Sequence, residues 1–135
     1  MLTKSQINKL SYDIIGAAIE VHKQLGPGLL ESVYQQCLIY ELESNGIEVL
    51  SQVMVPLNYK GLELTQKLRL DLLVEDNIIV ELKTVEIIQP VHKAQLLSYM
   101  QLARKPKGLL MNFYTENLSK NVIPLVNNHF RDLPE

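Results

Sequence analysis

Asp71, Glu81 and Lys83 interrupt two segments that are otherwise apolar, 70–74 and 78–83. Burying a carboxylate without a partner costs on the order of several kcal/mol, so charged residues in such segments indicate a functional use. Two converging carboxylates suit a hard cation such as Mg²⁺, which prefers oxygen ligands and often bridges to a phosphate. A lysine beside them would orient or deprotonate a bound water.

The spacing of these residues predicts a β-hairpin. The polar residues 75–77 separate two segments that are rich in Leu, Ile and Val. If a three-residue loop closes Val74 against Ile78, the antiparallel register sets Asp71 directly opposite Glu81. Residues paired in this way point to the same face with Cβ atoms about 5 Å apart, so the carboxylates would repel unless a cation lay between them.

Two basic residues are placed to interact with these acids. Lys83 lies two residues beyond Glu81 and therefore on the same strand face, and Arg69 lies opposite Lys83. One interpretation is a structural ion-pair cluster in which both basic side chains neutralise the acids. The other is a divalent metal site with Asp71 and Glu81 as ligands. The hairpin alone leaves both open.

Two helical segments carry polar residues at one-turn spacing. Glu31 and Tyr34 lie at the start of one helix, where Glu31 either complements the helix dipole or adds a third carboxylate ligand. His92, Gln95 and Tyr99 form a stripe on another helix, and Gln95 with Tyr99 resembles a substrate-positioning pair. The neighbouring apolar residues predict that little of this helix is exposed: Ala94, Leu96, Leu97 and Met100.

Hydrophobic periodicity predicts the elements that must position these residues. Helices are expected at 5–25, 30–45 and 90–104. Strands are expected within 47–67, in the hairpin, at 108–113 and at 122–126, the last at a sheet edge because of Pro124. This order predicts an α/β (α+β) protein with one central sheet and helices on its faces.

The composition bounds the class of protein. The chain has 135 residues, 47% of them hydrophobic, which favours a single domain over residues 1–135. A net charge of −2 argues against tight nonspecific binding to DNA. A single cysteine fits a reducing compartment, and neither a secretory core nor an apolar run of membrane-spanning length is present, so we expect a cytoplasmic protein without a membrane partner.

The motifs as a set resemble the PD-(D/E)xK nuclease superfamily. An acidic residue on an early helix, Asp71 and residues 81–83 are similar to its acidic and E-x-K elements, and residues 95–99, QLLSY, resemble the QxxxY motif of its RecB-like branch. Residues 28–34, GLLESVY, resemble the motif of the GxxExxY family of small bacterial and archaeal proteins. Leu70 stands where the superfamily pattern has proline, at a position that carries no ligand.

This resemblance implies a restriction-endonuclease-like αβα core with a central mixed sheet of four to five strands. It further implies a metal-dependent nuclease that hydrolyses phosphodiester bonds with Mg²⁺, for which Mn²⁺ could substitute. The catalytic residues would be Asp71, Glu81 and Lys83. The metal ligands would be Glu31, Asp71, Glu81 and the backbone carbonyl of Leu82. The substrate-positioning residues would be Gln95, Tyr99, Arg69 and Tyr34.

The nucleic-acid substrate is expected to be DNA rather than RNA, and the size and charge of the chain are compatible with a homodimer that embraces it. A different class of function stays open at this point. The same fold could serve as a noncatalytic nucleic-acid-associated or protein-interaction module, with the charged residues as a structural ion-pair cluster.

Overall fold

A computed structural model describes residues 2–135, which form four α-helices, a one-turn 3₁₀ helix (Leu118–Lys120) and five strands. The helices are α1 (Lys4–Leu25), α2 (Glu31–Ser44), α3 (Pro90–Ala103) and α4 (Asn128–Arg131). The strands are β1 (Val49–Tyr59), β2 (Leu62–Val74), β3 (Ile78–Lys83), β4 (Lys107–Asn112) and β5 (Val122–Val126). The three predicted helices are confirmed, with ends that move by at most one residue. The sequence did not predict α4, which is too short to show a period.

The five strands form one mixed sheet in the order β1-β2-β3-β4-β5. Neighbouring strands are antiparallel except β3 and β4, which are parallel and are connected by α3. This mixed sheet flanked by helices is the restriction-endonuclease-like fold that was predicted. β5, which contains Pro124, lies at an edge, where a residue without a backbone N–H is tolerated. No helix within residues 2–135 is long and apolar enough to cross a membrane.

Each face of the sheet has its own hydrophobic core. On one face, α1 and α2 pack over a large cluster that includes Leu72, Val80 and Leu109. On the other, α3 covers a smaller cluster through Leu96 and Met100. The expectation that little of α3 is exposed is wrong. Only those two side chains of the helix are buried, because α3 covers its face of the sheet alone.

The predicted hairpin and its register are confirmed. Residues 75–77 form the loop, Val74 pairs with Ile78, and Asn77 donates its backbone N–H to the carbonyl of Val74 at 3.0 Å. β2 pairs with β3 only through residues 72–74, whereas its pairing with β1 continues back to Leu62, the first residue of β2. Residues 53–59 and 62–70 therefore form a two-stranded antiparallel ribbon that extends past the β3 pairing. We refer to this pair of segments as the ribbon.

Candidate functional site

The candidate site lies where the backbone pairing of β2 with β3 ends. The register places Asp71 opposite Glu81, immediately after the last paired residues. The backbone N–H of Asp71 donates to Glu81 Oε1 at 3.3 Å, and the backbone N–H of Leu82 donates to Asp71 Oδ2 at 3.1 Å. Each carboxyl group thus accepts one backbone N–H, and these two bonds link the strands beyond their last backbone pair.

These bonds fix both carboxyl groups in a poorly solvated place. Glu81 is only 8% exposed and Asp71 is half-buried. Burial, helped by the negative charge of Asp71, raises the pKa of Glu81 to about 9. The positive charge of Lys83 lowers the pKa of Glu81, but by less. Glu81 is therefore costly to charge beside Asp71 unless a cation joins the two carboxylates.

The basic residues do not neutralise the acids by contact. Within residues 2–135, neither Lys83 nor Arg69 has a side-chain nitrogen within 4.0 Å of a carboxylate oxygen. The salt bridges present lie elsewhere, as Lys4–Glu135, Lys9–Asp13 and Lys105–Asp76. The structural ion-pair cluster that the sequence left open is therefore not the arrangement found.

Glu31 is the first residue of α2, and its side chain is half-buried. Burial raises its pKa, and so does the negative charge of Asp71, whereas the positive charges of Lys83 and Arg69 act in the opposite direction. The four charged groups thus lie within electrostatic reach of one another. Glu31 does not close a ligand set by itself, since no three His, Cys, Asp or Glu side chains of residues 2–135 converge to hold a metal ion.

The stripe on α3 approaches the same site from the other side. Tyr99 is half-buried, and burial raises its pKa together with the negative charges of Glu81 and Asp71. A hydrogen bond from Gln95 and the positive charge of Arg69 shift the pKa of Tyr99 the other way. His92 has a different role, because its Nδ1 accepts the backbone N–H of Gln89 at 2.9 Å and caps the helix.

Tyr34 does not belong to the substrate-contacting set, contrary to the expectation from sequence. Its side chain is fully buried and stacks on Phe113, with ring centroids 4.5 Å apart. Its hydroxyl donates to the carbonyl of Gly26 and accepts the backbone N–H of Leu29 at 3.1 Å. Tyr34 therefore fixes the loop before α2, whose Gly28 has a backbone φ of 97°, and a buried hydroxyl with two partners cannot reach a substrate.

Two residues near the site were missed by sequence reasoning. Gln35 donates from Nε2 to the backbone carbonyl of Asp71 at 3.0 Å. Asn112 is 2% exposed, donates to the carbonyl of Val85 at 2.8 Å and accepts the Val85 N–H at 3.1 Å, which holds the chain just after Lys83. The i,i+4 spacing from Glu31 could have indicated Gln35. No sequence signal could have indicated Asn112, since its position beside Lys83 depends on the parallel pairing of β3 with β4.

Comparison with known families agrees with this geometry. The family model of the PD-(D/E)XK nuclease superfamily matches residues 8–124. The chain belongs to this superfamily. The match includes both acids of the hairpin, the lysine and the polar stripe on α3. Members of the superfamily are generally nucleases that act on nucleic acid, typically with divalent metal ions.

Comparison with individual proteins adds little to the superfamily assignment. The crystal structure of SSO0001 is similar with a TM-score of 0.49 and 22% sequence identity, over 75% of this chain and 55% of that chain. This chain thus spans a little over half the length of SSO0001. No curated protein matches.

The residues present fit the divalent ion that the superfamily uses. The donors are carboxylate oxygens, which a hard cation such as Mg²⁺ prefers over nitrogen or sulfur. One oxygen of each carboxyl group is held by a backbone N–H, and no residue among 2–135 donates a hydrogen bond to Asp71 Oδ1 or Glu81 Oε2. A magnesium site of this class takes one or two carboxylates and fills the remaining positions with water and substrate phosphate, so a third carboxylate in contact is not required.

Proposed function

We propose that this protein is a nuclease that hydrolyses phosphodiester bonds with a divalent metal ion, Mg²⁺ or in its place Mn²⁺, held by Asp71, Glu81 and the backbone carbonyl of Leu82. The observation that carries the proposal is the pair of backbone hydrogen bonds at the open end of the hairpin, from the Asp71 N–H to Glu81 and from the Leu82 N–H to Asp71. It fixes one oxygen of each acid and leaves the other for a cation. Glu31 would complete the acidic environment from the start of α2.

The side chains around the acids have separate roles in this proposal. The ion, when bound, would lower the pKa of water and stabilise the negative charge that develops on the phosphate. Lys83 would orient the attacking water and donate a hydrogen bond to the reacting phosphate. Its positive charge lowers the pKa of both Glu31 and Glu81, which supports a place for it beside the acids. Tyr99 and Gln95 would position the substrate from α3.

The motif around Gly28, Glu31 and Tyr34 supports placing the chain in the GxxExxY family, with a RecB-like QxxxY element on α3. Each motif residue has a physical reason for its position. Gly28 adopts the left-handed backbone conformation that favours glycine, and the buried Tyr34 hydroxyl holds the loop. Glu31 lies between them at the helix start, which holds its carboxylate near the acidic pair.

The ribbon supports DNA as the substrate. Together with Lys60 in the turn that joins its two segments, it carries Lys67 and Arg69 against one acid, Glu63, a net charge of +2 in a chain whose net charge is −2. Lys67 and Arg69 are two residues apart on β2, and Arg69 lies two residues before Asp71, so positive charge lines the ribbon as it leaves the site. A two-stranded ribbon can enter the major groove of B-DNA, whereas that groove of an RNA duplex is too narrow for side chains to read. The homodimer, single domain and cytoplasmic location expected from the sequence stay predictions.

The test is a cleavage assay on linear and circular DNA, in single- and double-stranded form, and on RNA, with Mg²⁺ or Mn²⁺. Cleavage should require the ion and should stop when EDTA is added. Lys83→Ala should reduce the rate by about 10²- to 10³-fold, as expected for loss of one group that stabilises the transition state. Lys93→Ala is the matched control, since Lys93 is an exposed lysine on α3 outside the acidic cluster.

The proposal makes two demands on the result. Wild-type protein must cleave at least one of these substrates, and the Lys83 variant must lose that activity while its circular dichroism spectrum stays that of the folded protein. Equal rates for the two lysine variants and the wild type, or no cleavage of any substrate with either ion, would contradict the nuclease assignment.

A further inference from the structure

Gln52, in the middle of β1, has an unusual backbone conformation. Its φ is 53°, in the left-handed region that is disfavoured for residues with a side chain. The register pairs Ser51 with Leu72 and Val53 with Leu70, so Gln52 lies opposite Asp71. Backbone strain of this kind persists only where the surrounding structure enforces it, and it is frequent beside functional sites.

The side chains of the β1–β2 pair switch from one face of the sheet to the other at this same point. Residues two apart on a regular strand share a face of the sheet. Leu70 and Leu72 do not: Leu72 packs in the core under α1 and α2, whereas Leu70 packs in the core under α3. The β1–β2 pair therefore rotates between these residues, and Asp71 is at the rotation. The orientation of its carboxylate depends on how this rotation is fixed.

A chain of two side-chain amides spans the rotation. Gln52 donates from Nε2 to Gln35 Oε1 at 3.2 Å, and Gln35 donates from Nε2 to the backbone carbonyl of Asp71 at 3.0 Å. These two hydrogen bonds link β1 to α2 and α2 to β2. Both bonds use the amide nitrogen as donor, so one orientation of each amide group satisfies the whole chain.

We propose that Gln35 and Gln52 are positioning residues that hold Asp71 in the orientation in which its carboxylate bonds the Leu82 N–H and faces Glu81. The left-handed conformation of Gln52 brings its amide toward Gln35, and Gln35 fixes the Asp71 carbonyl from the helix that also carries Glu31. An effect of the two glutamines on metal affinity rests on the proposed function, because it requires the metal site. Their effect on the orientation of the Asp71 carboxylate does not require a metal ion.

The first test needs no metal ion. The Leu82 amide donates to the Asp71 side chain, so its hydrogen-exchange protection in metal-free protein reports the orientation of that carboxylate. Gln35→Met removes the donor with little change of volume or helix propensity. Protection of the Leu82 amide should fall by about fivefold, the effect of losing one ordinary hydrogen bond. Gln36→Met, a change of the same type at an adjacent exposed residue of α2, should leave it unchanged.

The second test compares the stability of a Gln52 variant with the protection of its Leu82 amide and with its affinity for Mn²⁺. Gln52→Gly relieves the left-handed backbone and removes the amide. Its melting temperature without metal should stay equal or rise, yet protection of the Leu82 amide should fall. Binding of Mn²⁺, measured by calorimetry on the full chain, should weaken by about tenfold in Gln52→Gly and in Gln35→Met, as is typical when a residue that orients a ligand is lost.

The outcomes separate this inference from the proposed function. If wild-type protein binds no Mn²⁺, or if Glu81→Gln binds it equally well, the metal site is wrong, and the Leu82 amide still decides the role of the two glutamines. If wild-type protein binds Mn²⁺ and Glu81→Gln does not, but Gln35→Met matches Gln36→Met in both readouts, the positioning role is wrong and the metal site stands. A fall in melting temperature of Gln52→Gly with unchanged Leu82 protection would also contradict the positioning role.

Discussion

The two ends of the β2–β3 pairing are joined in different ways. Beside the loop, residues 72–74 pair with residues 78–80 through the backbone, and all six side chains are apolar and buried. One residue further on, the carboxyl groups of Glu81 and Asp71 accept the backbone N–H groups of Asp71 and Leu82, and no backbone pairing of the two strands continues. The same two strands thus change from a stable apolar pairing to an acidic opening within one residue.

This contrast separates what holds the fold from what is available for chemistry. Burial of the apolar end stabilises the protein, because each of its side chains is removed from water. The acidic end destabilises the metal-free protein, because two carboxyl groups are held together in a poorly solvated place. Functional sites commonly reduce stability in this way. Four substitutions can test whether the two ends differ as described.

The largest expected effect is at the apolar end. Leu72→Ala should lower the free energy of unfolding by about 3 kcal/mol, because Leu72 is fully buried in the larger core and its removal leaves a cavity. Urea denaturation measures the change. Leu97→Ala, on the exposed part of α3, is the control and should cost less than about 1 kcal/mol. Equal losses for both variants would mean that the hairpin core does not dominate stability.

At the acidic end a substitution should stabilise the protein rather than destabilise it. Glu81→Gln should raise the free energy of unfolding of metal-free protein by about 1 to 2 kcal/mol near pH 8, because the glutamine amide, unlike the glutamate carboxylate, is uncharged. The raised pKa of Glu81 means that the folded protein binds more protons than the unfolded chain between the ordinary glutamate range and about pH 9. Wild-type stability should therefore fall as pH rises through this window.

Denaturation at several pH values with EDTA present measures this dependence. The advantage of Glu81→Gln should be small near pH 4, where both proteins carry a neutral side chain at residue 81, and should grow toward pH 9. A difference that does not depend on pH, or a less stable variant, would mean that the acidic end does not destabilise the fold.

A smaller effect is expected along the ribbon, which continues from the acidic end. Lys67→Ala should weaken binding of DNA and reduce the slope of log affinity against log salt by about one unit, because one phosphate contact is lost. Fluorescence anisotropy in EDTA, without cleavage, measures both quantities. Lys23→Ala, on the last turn of α1, is the control. An unchanged slope in Lys67→Ala would remove the ribbon from the substrate surface.

The smallest effect is expected at the loop itself. Lys105 forms a salt bridge of 2.8 Å with Asp76, whose side chain is 80% exposed. Lys105→Met should cost less than about 1 kcal/mol, and the cost should disappear in high salt because exposed ion pairs are screened. Thermal unfolding at low and high salt measures it. A loss comparable to that of Leu72→Ala would contradict the view that apolar pairing holds this end.

Much of the site could be predicted because it depends on local spacing. The odd-numbered loop sets Asp71 opposite Glu81 wherever the strands pair, and Gln95 and Tyr99 share a helix face by their four-residue separation. Tyr34 shows where this reasoning failed. Its three-residue spacing from Glu31 indicates one helix face, but spacing does not distinguish a buried hydroxyl that hydrogen-bonds a loop from an exposed hydroxyl that contacts a substrate.

The sequence by itself determined the order of the elements, the hairpin register and the residue types at the candidate site, because periodicity and turn length are properties of neighbouring residues. Only the tertiary structure decided that the basic side chains stay out of contact with the acids, and that Gln52 bonds Gln35 while Gln35 bonds the Asp71 carbonyl. These contacts join residues far apart in the chain, and the packing of α2 on the sheet and the local rotation of β2 set their distances. No local pattern encodes those distances, so they appear only when the chain is folded.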